Sequence, residues 1–208
     1  MKKLIFLAPL IGLSLTCAAQ SVDDNNVNDK NHGITLSMST EYGFLPKEDG
    51  VKGTNNAYAI TFGANYYFMH PDRGVFAGAR IGYNSASFHN HAYLGPAEYV
   101  TANTDTHFIT LPINVGYAFT PADSRFGVSP LAGIDVNFCV AGKHKIKDGS
   151  NEIKRNIKKK VAFDARFGLQ FRIYGFNVGA SYVLPIGDNQ KAYFGKDGYF
   201  AVNIGFGF

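Results

Sequence analysis

Residues 109–119 read Ile-Thr-Leu-Pro-Ile-Asn-Val-Gly-Tyr-Ala-Phe, with an apolar side chain at every odd position. The even positions hold small or polar residues and one proline, Pro112. A period of two places the apolar set on one face of a β-strand and the other set on the opposite face. The stretch therefore predicts a strand with one apolar and one polar face, and Pro112 predicts either a bulge or a missing hydrogen bond within it.

The same alternation recurs in seven further segments, so the chain as a whole predicts eight strands. Each segment is long enough for a tilted strand that crosses a bilayer, which needs about 9–11 residues. The seven segments are residues 34–44, 58–68, 75–84, 126–138, 161–172, 176–184 and 200–208.

Composition narrows the class of protein. Charged residues are only 17% of the 208 residues, and aromatic residues are 14%. Disordered chains are poor in aromatic residues, so disorder is excluded. Gly occurs 23 times, which argues against a helical bundle because glycine is a poor interior helix former.

The N-terminus predicts export. A basic start at Lys2 and Lys3 precedes an apolar run, and the small residues Cys17-Ala18-Ala19 follow it. This order is typical of a secretory signal peptide. We assign residues 1–19 to the signal, 20–32 to a polar periplasmic segment and 33–208 to the folded domain; a lipid anchor at Cys17 is the disfavoured alternative. Cys139 is then the only cysteine, so no intramolecular disulfide can form.

The links between the segments alternate in length. Three are short, at residues 69–73, 120–124 and 174–175, and four are long, at about residues 45–56, 89–105, 141–159 and 187–198. Short turns at one end and long loops at the other are typical of outer-membrane barrels, whose short turns are periplasmic. Outward-facing aromatic residues such as Tyr117 and Phe119 recur near the short turns and predict one of the two aromatic girdles of such a barrel.

Lipid provides no hydrogen-bonding partners, so the sheet must close on itself. The sequence therefore predicts an all-β fold: an eight-stranded, antiparallel, up-and-down transmembrane β-barrel with short periplasmic turns and long extracellular loops. The last strand must pair with the first.

Six charged residues lie on the polar face and are predicted to form an ion network inside the barrel. An eight-stranded barrel has an interior that side chains can fill, and buried charges need partners. We expect Arg166 to bridge Asp135 and Asp164, and Cys139 to pack as a small residue in the lumen. The full set is Glu41, Arg80, Asp135, Asp164, Arg166 and Arg172.

The third long link is strongly basic, with eight cations against Asp148 and Glu152. It could bind an anionic partner such as lipopolysaccharide, or it could be a solvated loop, which is the favoured interpretation because charge alone does not specify a partner. Nucleic acid is not expected, since no aromatic residues interleave with the cations. The basic residues are Lys143, Lys145, Lys147, Lys154, Arg155, Lys158, Lys159 and Lys160.

Histidine and serine residues near the third and fourth segments could be metal ligands or catalytic groups. His89, His91 and His107 lack the further ligands that a metal site needs. Ser85 and Ser87 have no accompanying activating motif. We therefore expect no metal, no cofactor and no enzymatic activity.

The strand at residues 107–117 and the terminal segment at residues 199–208 resemble those of the small outer-membrane β-barrel family, described as porin-like or PorT-like, in the size class of OmpA and OmpX. The terminal segment, with Phe206 and Phe208, resembles the signal read by the barrel-assembly machinery. The resemblance implies location and fold more than activity.

We accordingly expect an integral protein of the outer membrane of a Gram-negative bacterium, in contact with outer-membrane lipid and lipopolysaccharide and monomeric. Its expected role is structural or one of surface interaction. The barrel is expected to present four extracellular loops, and polar and charged side chains are expected to plug its lumen. The alternatives are a narrow porin-like channel and an accessory component of a secretion apparatus.

Overall fold

The computed structural model describes residues 33–45, 52–68, 73–93, 99–120, 126–148, 151–158, 160–174, 176–187 and 198–207. These residues form nine β-strands. No helix within these ranges has the length and apolar character needed to span a membrane. The strands are β1 (Gly33–Phe44), β2 (Lys52–Tyr67), β3 (Arg73–Tyr93), β4 (Tyr99–Phe119), β5 (Phe126–Asp148), β6 (Asn151–Asn156), β7 (Val161–Ile173), β8 (Phe176–Ile186) and β9 (Tyr199–Gly207).

Eight of these strands close into an antiparallel barrel. Each strand pairs with its chain neighbour, with β5 followed by β7 in the wall, and β9 pairs with β1 from Ser37↔Gly207 to Phe44↔Phe200. The predicted fold class and the pairing of last strand with first are therefore confirmed. We call the end with the β2–β3, β4–β5 and β7–β8 links the turn end, and the opposite end the hairpin end.

Two of the four predicted long links, at residues 89–105 and 141–159, are largely strand rather than loop. Most of the other two links, residues 46–51 and 188–197, lies outside the described residues. β3 continues to Tyr93 and β4 begins at Tyr99, so only five residues, 94–98, separate them. β5 continues to Asp148, and β6 pairs back onto it from Asp148↔Asn151 to Lys143↔Asn156. Alternating hydrophobicity ends where the lipid ends, but polar and β-branched residues can continue a hydrogen-bonded ladder in water. The sequence pattern therefore underestimated the length of these strands.

The two faces of the wall differ as the alternation predicts. Large apolar side chains point outward and are exposed, for example Ile34 (68%), Phe62 (59%) and Phe200 (63%). Small polar side chains such as Asn114 and Asn137 point inward and are buried. A belt of exposed apolar side chains around a closed sheet is the surface that lipid requires.

Pro112 interrupts the ladder without changing its register. β3 and β4 pair at Ala79↔Ile113 and again at Gly82↔Thr110, in the same register, while Arg80 and Ile81 pair with β2 but not with β4. Proline has no N–H to donate. The two alternatives for Pro112 are thus resolved in favour of a missing hydrogen bond.

Candidate functional site

Arg166 lies at the centre of an ion cluster that crosses the lumen. Its Nη2 donates to Oε1 of Glu41 at 3.0 Å, and its Nε donates to Oδ2 of Asp135 at 3.0 Å. Its Nη1 donates to Oε2 of Glu41 at 2.5 Å and to Oγ of Ser181 at 2.8 Å. The side chains of Arg166, Glu41 and Asp135 are only 12%, 15% and 6% exposed. One guanidinium thus joins β1, β5, β7 and β8, with the planar geometry that allows a bidentate contact.

The expected bridge from Arg166 to Asp164 does not form. Asp164 lies directly opposite Asp135 in the β5–β7 ladder, but it accepts a hydrogen bond from Nδ2 of Asn137 at 2.9 Å. The second carboxylate at Arg166 is that of Glu41, on the opposite wall. Sequence reasoning compared heights on neighbouring strands only, whereas a long side chain can cross a narrow lumen to a distant strand.

The two remaining arginines of the predicted network occupy different places. Arg80 lines the same small cavity as Arg166, of about 30 Å³, but forms no ion pair with the residues that the structure describes, and its Nε lacks a hydrogen-bonding partner there. Arg172 lies at the turn end, where Nη2 donates to Oγ1 of Thr120 at 3.1 Å. It lines a separate vestibule of about 260 Å³.

Apolar layers lie on both sides of the ion cluster, and sequence reasoning missed them. Toward the hairpin end, Phe108 and Val183 (both 0% exposed) pack with Tyr199 and with Cys139, which lies in the lumen as predicted. Toward the turn end, a second layer comprises Tyr67, Phe76, Ala118 and Leu131. Four large apolar side chains at inward positions were the available signal: Phe76, Phe108, Val183 and Tyr199.

A glycine makes room for the layer at the turn end. A Cβ at Gly116 would lie 2.5 Å from the ring of Phe76 and 2.6 Å from the carbonyl oxygen of Pro130. Such contacts are far inside van der Waals distance, so only glycine permits the Phe76 ring to lie across the lumen at this height.

The basic residues lie mainly on a hairpin rather than on a loop, which corrects the prediction. Lys143, Lys145 and Lys147 belong to β5, and Lys154 and Arg155 belong to β6. Lys158 and Lys160 precede β7, and Lys159 lies outside the described residues.

Within this hairpin, Nζ of Lys154 lies 3.0 Å from Oε2 of Glu152. That hydrogen bond, supported by the charges of Lys154, Lys145 and Lys147, lowers the pKa of Glu152 below its usual value of 4.5. The three lysines act in the same direction as the hydrogen bond, because nearby positive charge favours the ionised carboxylate.

The histidines do not converge on one point. His107 Nδ1 lies 2.5 Å from the hydroxyl of Tyr83, and His89 Nε2 lies 3.3 Å from Oδ1 of Asp105. His91 has a side chain outside the described set. Among the described side chains, neither Ser85 nor Ser87 hydrogen-bonds an imidazole, and no group of three potential metal ligands is present.

Of the two residues in the predicted assembly signal, Phe206 packs against Phe176 with ring centroids 4.5 Å apart. Phe208 lies outside the described residues. The reading of this terminus by the assembly machinery therefore stays a prediction.

Several solved structures are similar to this chain. The chain is similar to the N-terminal β-barrel domain of OprF from Pseudomonas aeruginosa (13% identity, 86% of this chain and 98% of that one, TM-score 0.38). It is also similar to Ail, the attachment invasion locus protein of Yersinia pestis (18%, 85% and 97%, TM-score 0.39). A third similar structure is a major outer membrane protein of Thermus thermophilus (12%, 85% and 100%, TM-score 0.48).

No curated protein sequence matches the chain significantly. The family model described as "Outer membrane protein beta-barrel domain" matches residues 6–208, which is nearly the whole chain. Together with the closed sheet and its apolar outer belt, this match places the protein in the outer membrane, with the turn end on the periplasmic side. The chain belongs to the outer membrane protein β-barrel domain family.

Proposed function

We propose that this protein is a closed barrel whose lumen does not conduct, and whose role is carried out by the extracellular sheet that it holds above the membrane. The observation that carries the proposal is the ion cluster around Arg166, enclosed between two apolar layers. The barrel wall then holds the extracellular sheet in a fixed position. The extensions of β3, β4 and β5 and the strand β6 form the surface that is exposed above the membrane.

The ion cluster leaves little free space at its level. The cavity around Arg166 has a volume of about 30 Å³. A single water needs about 10–15 Å³ on the same measure, so only about two waters fit. A hydrated ion, which carries several waters with it, could pass only if the Arg166 contacts to Glu41 and Asp135 broke first.

The layer at the hairpin end adds a second barrier. Phe108 and Val183 are fully buried and Tyr199 is 2% exposed. An apolar constriction resists wetting and thereby blocks ions even where a narrow gap remains. Two barriers of different chemistry in series support a lumen that stays closed.

The narrow channel remains the second candidate because one observation favours it. The vestibule at the turn end, about 260 Å³ in volume and lined by Arg172, enters the lumen from the periplasmic side. Its wall includes Arg172, Asn177 and Gln170, which suit water or a small anion, but also the apolar residues Tyr67 and Phe76, and it ends below the Arg166 cluster.

Conductance across a planar lipid bilayer tests the proposal. The wild-type barrel should give no steady conductance steps. Arg166→Ala alone should change this little, because the apolar layer at the hairpin end remains. Arg166→Ala with Phe108→Ala should begin to conduct, because the layer at the turn end leaves the vestibule open beside Tyr67 and Phe76. Each variant should first show heat-modifiable migration in SDS, which establishes that the barrel has folded. Steady, ohmic conductance of the wild type would contradict the proposal and support the channel.

A further inference from the structure

The register between β4 and β5 shifts by one residue at Val140. Below it, β4 and β5 pair as Phe108↔Cys139, and above it as His107↔Ala141, so β5 contributes one extra residue, Val140. A bulge of this kind moves every later side chain of the strand to the opposite face.

The bulge determines which face of β5 the residues above it occupy. A Cβ at Gly142 would meet Thr106 and Ile157, so Gly142 faces inward. Lys143, Lys145 and Lys147 therefore face outward, on the same side as His107 and Asp105 of β4. Without the extra residue, these three lysines would point into the axis of the barrel.

The lysines begin just above the apolar belt. Each residue of a strand tilted by about 45° climbs about 2.3 Å along the barrel axis. The 12 steps from Phe126 to Phe138 (138 − 126) span about 28 Å, close to the thickness of a hydrocarbon core. The headgroups begin just above Phe138, and Lys143 lies about 10 Å above that residue. The stem of a lysine side chain is long enough to reach back toward the membrane surface.

The positive charge of these lysines is only partly offset by the rest of the structure. Lys143, Lys145 and Lys147 form no ion pair with any described residue. Two acids share the face: Asp105 lies opposite Lys143 and contacts His89 at 3.3 Å, and Glu152 lies opposite Lys147 and pairs with Lys154 at 3.0 Å. With Lys154, the face carries four lysines against two acids, a net charge of +2 when His89 is neutral (4 − 2), and Lys143 is the lysine nearest to the membrane.

A cleft of about 670 Å³ lies at this level on the outer wall. Its floor is apolar, with Val140 and Ala141. Its rim carries Lys143 and Lys145 against one acid, Asp105, together with His107 and Asn156. Directly below it, the outward side chains of Ile109, Phe138 and Val161 are exposed to acyl chains. The cleft thus combines an apolar floor, next to the acyl chains, with two lysines on its rim. A lipid with a phosphorylated headgroup fits this combination.

We propose that this cleft binds a headgroup phosphate of lipid A in the outer leaflet, with Lys143 and Lys145 as the phosphate ligands. Lysine binds phosphate as a compact point charge, and the lipid fixes the height at which its phosphate meets the cleft. The site lies on the outer wall, so the inference stands whether or not the lumen conducts, and its test is independent of the conductance measurement.

Binding of fluorescent lipid A to the full-length barrel in detergent micelles tests the site. A lysine near an anionic membrane surface contributes about fivefold in affinity. Lys143→Ala with Lys145→Ala should therefore weaken binding about 25-fold. The matched control is Lys147→Ala with Arg155→Ala, which removes two charges from the same hairpin but none from the cleft, and it should change affinity less than about twofold. SDS migration verifies that each variant has folded.

Two further comparisons identify the ligand group. Lipid A without its phosphates should bind wild type as weakly as phosphorylated lipid A binds the double variant. Raising the salt concentration should weaken only the phosphorylated lipid, since the contacts are partly exposed. Unchanged affinity in the cleft variant, equal binding of the dephosphorylated lipid, or tighter lysine-dependent binding of a soluble sulfated polysaccharide would each overturn the assignment.

Discussion

Arg166 of β7 and Glu41 of β1 form a bidentate ion pair across the lumen, at 3.0 Å between Nη2 and Oε1 and 2.5 Å between Nη1 and Oε2. In the wall, β8 and β9 separate the two strands. The pair therefore links positions that the backbone ladder does not connect directly, and it fixes the interior of the barrel across its width.

Loss of Arg166 should destabilise the barrel strongly. Arg166→Ala leaves Glu41 and Asp135 as buried carboxylates without their cation, and breaking a buried pair in this way costs about 3–5 kcal/mol. The free energy of unfolding in urea, measured in lipid vesicles, gives the value. The same substitution made in a Glu41→Gln background should cost less, because one stranded charge has been removed. Equal costs in both backgrounds would show that the pair is not coupled.

Phe108 should be the most sensitive position of the apolar layer at the hairpin end. Its side chain is fully buried, so Phe108→Ala should leave a cavity and lower the free energy of unfolding by about 3–5 kcal/mol. Phe108→Leu retains most of the volume and should cost about 1.5 kcal/mol or less. Urea titration of both variants provides the comparison, and similar losses for the two would argue against a packed layer.

Glu152 should titrate at a lower pH than an ordinary glutamate. Its pKa is depressed below 4.5 by the hydrogen bond from Lys154, so the pair is present above the usual pKa and is lost as the pH falls through the lowered pKa. Carboxyl NMR of Glu152 measures this. Lys154→Ala should raise the pKa back toward 4.5, whereas Arg155→Ala, on the other face of β6, should leave it unchanged. If the pKa of Glu152 is the same in the wild type and in Lys154→Ala, the contact between the two side chains does not form.

Cys139 should report on folding. It is 5% exposed in the lumen, so a maleimide should modify it slowly in the folded barrel and rapidly after heating in SDS. Mass spectrometry of the protein without residues 1–19, which contain the other cysteine, gives the labelled fraction. Rapid labelling of the folded barrel would mean that the lumen admits a molecule of that size.

Alternation was sufficient to predict the wall of this barrel. The inward and outward sets of β4 are those that its period of two predicts, because a strand has only two faces and lipid accepts only one kind of side chain. The same rule failed above the membrane. Residues 99–106 contain three threonines and no apolar alternation, so the link before β4 was predicted to extend to about residue 105, whereas β4 begins at Tyr99.

The sequence predicted which charged residues face the lumen, but it did not predict which of them contact one another. Glu41, Asp135 and Arg166 were all assigned to the interior. Of the two predicted partners of Arg166, Asp135 forms the contact, whereas Glu41 takes the place of Asp164. A pattern along one strand gives the face of a residue, and it does not give the distance to residues on strands that are not its neighbours. Phe108 and Val183 were missed because the prediction assumed a uniformly polar interior.

From the chain alone follow the number of strands in the wall, their faces and the need for closure, because lipid leaves no other way to satisfy the backbone. Only the folded barrel decides which charges meet across the lumen and that Val140 turns Lys143, Lys145 and Lys147 outward. Those outcomes depend on register and on strands far apart in sequence, and a one-residue change in pairing reverses the direction of every side chain that follows.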